Sequence, residues 1–160
     1  MASRAPQPDL DHSPVAPAGS IDRVPVIDLR HDPAEVIGQV AAACRNWGFF
    51  QVVGHGVPDG ARDTVLAAAR AYFAQPAAAK RRYLRSRDNP WGYYDRERTK
   101  TKRDRKEIFD IGPDAGAAAG APFAGSTPWP DDPPDFAAVM RDWFERMTQL
   151  SARLTGLIAA

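Results

Sequence analysis

Residues 46–57 read Asn-Trp-Gly-Phe-Phe-Gln-Val-Val-Gly-His-Gly-Val, and no other stretch of the 160 residues constrains the fold so tightly. It spells a helix end, a buried strand and a tight glycine turn. Upstream, Asp32, Pro33 and Glu35 open a helix as N-cap, first helical residue and third position, in the manner of a capping box. Val36, Ile37, Val40, Cys44 and Trp47 then recur at helical spacing and give one apolar face. Gly48 follows, where a helix commonly stops in a left-handed turn. Phe49–Val53 is short, aromatic and β-branched, which predicts a strand. Gly54 and Gly56 flank His55 and predict a backbone that needs positive φ or close packing. Val24–Leu29 is a second strand candidate, with Pro25 favouring an edge or a strand start.

The rest of the chain continues this mixture. A helix is expected over Gly60–Phe73, short strands over Gly92–Tyr94 and Glu107–Ile111, and a long helix over Asp135–Ala159. In the last of these, Phe136, Val139, Met140, Trp143, Phe144, Met147, Leu150, Leu154, Leu157 and Ile158 form a stripe at spacings of three and four. Such a helix would be about 38 Å long at 1.5 Å per residue. It ends in Leu157-Ile158-Ala159-Ala160 without glycine, cation or proline, so the apolar pattern reads as cut rather than terminated. The expected fold class is α/β (α+β), with short strands, flanking helices and a long C-terminal amphipathic helix.

Composition sets the outer limits. A 160-residue chain with 44% hydrophobic and 26% charged residues suits one soluble globular domain. Residues 1–20, with four prolines and few large apolar side chains, are expected to be a disordered tail ahead of a domain over 21–160. Gly112–Pro134, with three further glycines and many prolines, reads as a long loop. The single cysteine, Cys44, excludes an internal disulfide and reads as a small core residue rather than a nucleophile. No apolar run approaches a membrane span and no signal peptide is visible, so a cytoplasmic location is the default expectation.

Charge is uneven although the net is only +1. Lys80–Lys106 holds 12 Lys/Arg against four acids, interleaved with Tyr83, Trp91, Tyr93 and Tyr94. Cations and aromatics together can bind single-stranded nucleic acid. No recognised nucleic-acid motif accompanies them, so a surface facing another domain or an anionic substrate is preferred. Phosphate-binding glycine loops and Cys-x-x-Cys pairs are missing, and nothing marks a nucleophile elbow. Asp131-Asp132 lies in the proline-rich loop and reads as turn residues.

Taken in order, Val24–Leu29, Asn46–Val57, Lys80, Gly92-Tyr93-Tyr94, Lys106–Gly112, Trp129-Pro130 and the final helix resemble the N-terminal region of the isopenicillin N synthase-like iron(II)/2-oxoglutarate oxygenases. The resemblance implies part of a double-stranded β-helix oxygenase, truncated before its catalytic jelly-roll. It implies iron(II) and 2-oxoglutarate as cofactors of the full-length parent and none in this chain. A parent of this kind would hydroxylate, desaturate or cyclise a small organic molecule, with the missing C-terminal catalytic domain as partner. The metal ligands of such an enzyme would be a His-x-Asp and a distant His, with an Arg-x-Ser for 2-oxoglutarate. Here His12 is followed by Ser13-Pro14, His31 by Asp32-Pro33 and His55 by Gly56-Val57, so none begins that motif. The resemblance also places Tyr93 and Tyr94 near the active-site mouth, as candidate substrate contacts against the plainer reading of aromatics packed on a strand. Isopenicillin N synthase has a substrate-serving arginine two residues before the glycine, where this chain has Pro90, so the same peptide substrate is not implied. The competing expectation is a stand-alone interaction module that binds a protein or nucleic acid through the basic 80–106 region.

Overall fold

The structure is a computed structural model and describes residues 23–99, 101–113 and 125–160. The expected tail over 1–20 and the middle of the Gly112–Pro134 loop lie outside the described residues. Two compact units make up the chain. One contains 23–55 with Leu157–Ala160, and the other is Gly56–Gly156.

The first unit is a strand–helix–strand. β1 (Val26–Asp28) and β2 (Gln51–Val53) are parallel, with Ile27 opposite Val52. Parallel neighbours need a crossover, and α1 (Pro33–Asn46) supplies it. The Asp32 carboxylate caps α1 by accepting from the Ala34 N–H at 2.9 Å. The reciprocal half of the expected capping box does not form. Glu35 instead accepts from Gln39 Nε2 at 2.9 Å and faces His31 Nδ1 at 3.3 Å, one helical turn away on either side. Ile27, Leu29, Val36, Val40 and Ala43 are the buried apolar residues of this unit.

Two expectations fail here. Cys44 is exposed rather than in a core. Counting about 100° per residue, Val36, Val40 and Ala43 centre the buried stripe, and Cys44 falls about 70° off it. The strand predicted over Phe49–Val53 is shorter and is not buried: Phe49 is 56% exposed and Val53 42%. A two-stranded sheet with one helix against it covers only one of its faces, so alternate residues stay in water. Phe49 instead meets Trp47 edge to face, with ring centroids 5.8 Å apart.

The glycines behave as expected. Gly48 ends α1 at φ +76°, donating to the Ala43 carbonyl. Gly54 sits at φ +62°, where a Cβ would overlap the Asp28 carboxylate and the Arg30 side chain.

The second unit contains α2 (Ala61–Phe73), a single turn α3 (Ala77–Lys80), a 3-10 turn (Arg81–Tyr83), four short strands and α4 (Phe136–Ala159) as far as Gly156. β3 (Gly92–Tyr94) pairs antiparallel with β6 (Ile108–Asp110), Tyr93 opposite Phe109. β4 (Arg98–Thr99) and β5 (Lys102–Arg103) form a small antiparallel ribbon between them. Its core is aromatic. Tyr72 stacks on Phe136 at 4.5 Å and meets Phe109 and Tyr93 edge-on at 5.1 and 6.4 Å. Val65 and Met140 complete the buried set.

Of the long apolar stripe on α4, only Phe136 and Met140 are buried, and both lie in its first two turns. No helix among the described residues is long and apolar enough to cross a membrane.

Candidate functional site

The chemistry-bearing residues of the second unit gather around the β3–β6 sheet. Successive residues of a strand point to opposite faces. Tyr93 therefore faces the core, with no exposed surface, while Tyr94 lies half-buried on the other face. The two tyrosines singled out from the sequence are adjacent in the chain but do not share a face.

On the inner side, Lys80 is buried. Its ammonium donates to the Phe73 carbonyl at 2.8 Å and to Glu107 Oε2 at 2.5 Å, and sits 5.7 Å from the Tyr93 ring centre. The hydrogen bond from Lys80 holds the Glu107 carboxyl below the usual carboxylate range, against the opposing effect of burial. Burial and the neighbouring Glu107 push the Tyr93 hydroxyl up to about 12. Burial raises Tyr72 further, and its hydroxyl has no hydrogen-bond partner among the described residues. Both phenols are therefore neutral at physiological pH, as an aromatic core requires.

Asp95 follows β3 and is also buried. Arg81 reaches it with Nε at 2.9 Å and Nη2 at 2.7 Å, a forked grip on one oxygen that raises the Arg81 pKa. A cleft of about 400 Å³ opens beside these acids, lined by Asp95, Asp104, Arg105, Lys106 and Glu107.

On the outer side, the Arg85 guanidinium lies 3.6 Å from the Tyr94 ring centre and donates from Nη1 to Asp110 Oδ2 at 2.8 Å. The Arg85 backbone N–H bonds the Tyr93 carbonyl at 3.0 Å, which fixes the start of that side chain against β3.

The basic run is thus not a uniform solvated surface. Lys80, Arg81 and Arg85 are each committed to an acid on or beside β3 and β6. Sequence reasoning missed these pairs because partners 14 to 27 residues apart meet only once the strands pair. The available signal was the placement of Asp95, Glu107 and Asp110 at the ends of two predicted strands.

His31 is exposed beside Glu35, His55 is half-buried after β2, and His12 lies outside the described residues. Among the described residues, no group of three His, Cys, Asp or Glu side chains is placed to hold a metal ion. Two imidazoles and a carboxylate on one face are what non-haem iron needs. The described residues do not fit it, and no catalytic step is assigned to them. Asp132, in the loop before α4, accepts from Gln75 Nε2 at 2.7 Å and so ties that loop to the end of α2.

Comparison with known proteins places this geometry. The chain is 30% identical over 136 residues to jasmonate-induced oxygenase 4 of Arabidopsis thaliana, covering 82% of this chain and 37% of that protein. It is 32% identical over 147 residues to the 2-oxoglutarate-dependent dioxygenase caaD of Aspergillus niger, covering 82% and 45%. The chain thus spans less than half the length of these relatives. A solved 2OG-Fe(II) oxygenase family protein of Caulobacter crescentus shares the fold at a TM-score of 0.71 and 18% identity, covering 85% of this chain and 47% of that one. The rice dioxygenase for auxin oxidation gives 0.55 at 28% identity, covering 86% and 44%. The family described as non-haem dioxygenase in morphine synthesis, N-terminal, matches residues 24–132, so this chain belongs to that family and carries the N-terminal domain of an iron/2-oxoglutarate dioxygenase.

Proposed function

We propose that the chain serves as the scaffold and substrate-entrance domain of an iron(II)/2-oxoglutarate-dependent oxidoreductase that hydroxylates, desaturates or ring-closes a small organic molecule. The observation that carries this reading is the family match over 24–132 in a chain whose relatives bear oxygenase and dioxygenase names and of whose length it spans less than half. Iron and 2-oxoglutarate would be held by further polypeptide, because the described residues offer no ligand set. By itself the 160-residue chain would be catalytically silent.

Two features support the division of labour. Beyond Trp143, which packs on the core, the α4 stripe has no fully buried residue and Ile158 is 58% exposed, so its later turns offer apolar surface to a jelly-roll partner. Tyr94 lies half-buried on the outer face of β3 with the Arg85 guanidinium over its ring, a position that would suit an entrance, while Tyr93 packs in the core. A catalytic half would bring the oxidising chemistry, and this half would orient the substrate and help exclude water.

The test is the reading frame that follows the codon for Ala160. A frame encoding His-x-Asp, a distant His and Arg-x-Ser supports the proposal. A stop there with no complementing frame nearby overturns it. In the longer protein, unchanged kinetics for Tyr94→Phe would remove Tyr94 from the entrance.

A further inference from the structure

Most cations of the basic run whose surroundings are described are either spent or loosely placed. Lys80 is buried and fully engaged, Arg81 grips Asp95 with two nitrogens, and Arg82 sits 5.7 Å from the Tyr83 ring with its side chain in water. Arg85 differs from all three. Its guanidinium carbon lies 3.6 Å from the Tyr94 ring centre, its backbone is bonded to β3, and its side chain is 32% exposed. Among the described residues it uses one of its five N–H donors, to Asp110, itself 35% exposed. A stacked guanidinium has given up much of its rotamer freedom in advance, so an incoming anion need not supply that ordering. The surrounding run, with 12 cations and four acids, adds a field that attracts anions.

We propose that Arg85 is the anchor for a carboxylate group on the substrate, presented against the face of Tyr94. This inference rests on the reading of Tyr94 as part of the substrate entrance and names the substrate class as a carboxylic acid. The carboxylate would take the Nε/Nη2 edge, to which no described residue is hydrogen-bonded, as a forked pair. Asp110 would hold the guanidinium in plane from its other side and, being an acid, would weaken the hold on a second one.

Benzoate and benzamide, equal in shape and different in charge, are the probes. The readout is the Arg85 Nε–Hε and Tyr94 ring signals in NMR spectra of this chain. Benzoate should shift both saturably and benzamide should leave Arg85 unmoved. Arg85→Gln should weaken benzoate about tenfold, the loss expected for a charge-assisted pair, and Asp110→Asn should tighten it. A merely structural latch between Arg85 and Asp110 predicts no tightening. Equal shifts from both compounds, or undiminished binding in a folded Arg85→Gln chain, would overturn the anchor. The benzamide comparison needs no variant and decides even where a substitution unfolds the chain. Tyr94 moved by both compounds with Arg85 still would overturn the anchor and leave the entrance reading standing. Neither residue moved by either compound would overturn the anchor and withdraw support from the entrance as well.

Discussion

The two units hold themselves together differently. In the first, side-chain hydrogen bonds are local: Arg30 Nε donates to Asp28 at 2.9 Å, Asp32 accepts from the Ala34 N–H, and Glu35 pairs with Gln39 and His31. Its buried residues are aliphatic, and Val26, Phe49 and Val53 remain in water. In the second, aromatic rings interlock around Tyr72 and Phe109, and polar bonds span long stretches of chain, 27 residues from Lys80 to Glu107 and 57 from Gln75 to Asp132. Among the described residues both contain only two-stranded sheets, which are marginal alone. What covers the sheet therefore decides its stability. The contrast teaches that the second unit carries the tertiary structure, while the first is a local strand–helix–strand with an open face.

The contrast can be broken at its strongest point first. Phe136→Ala removes the ring stacked on Tyr72 and should cost about 3–5 kcal/mol, read by urea denaturation. A loss under about 1 kcal/mol would mean that the aromatic cluster is not the core of its unit.

Lys80→Ala should come next, at about 2–3 kcal/mol. It strands a buried carbonyl and a carboxylate, but Glu107 is 36% exposed and water can reach it, so the cost falls below that of a fully buried pair. The sign with pH follows from Glu107, whose folded pKa is lowered. Its stabilisation is present above the unfolded value near 4.5 and fades as pH falls through the lower folded value. Acid titration of the parent chain should show that loss, and Lys80→Ala should flatten it.

Asp32→Ala removes the α1 cap and should cost about 1 kcal/mol, with faster amide exchange confined to the first turn of α1. If exchange also rose in β3 and β6, the separation into two units would fail. Cys44→Ser should change stability by less than about 0.5 kcal/mol, because the thiol is exposed.

Much of the fold was legible in the sequence, for physical reasons. α1, α2 and α4 announce themselves by apolar spacing, and α1 also by Asp32-Pro33 and Gly48. β3 and β6 fall within the predicted spans because tyrosine, phenylalanine and isoleucine cluster there. α3 and the 3-10 turn went unseen, since Ala77–Tyr83 is too short to show a period. The β4–β5 ribbon is four residues of polar chain with no pattern to read.

Cys44 is four residues on from Val40 but falls about 70° from the centre of the stripe that Val36, Val40 and Ala43 define, so helical spacing alone does not bury it. The burial of Phe49–Val53 was overread, since an apolar run does not say what covers it. For the candidate site, Tyr93 and Tyr94 were visible from the sequence. Their opposite facing and the guanidinium on Tyr94 depend on strand pairing and on a residue nine positions upstream.

The central claim is that this domain supplies scaffold and entrance while the oxidising chemistry needs further polypeptide. The direct measurement is iron-dependent succinate formation from 2-oxoglutarate, by the 160-residue chain alone and by the same chain extended through its downstream reading frame. The account predicts no succinate above the protein-free background from the chain alone, and turnover from the extended protein. Iron-dependent succinate from the 160 residues alone would contradict it.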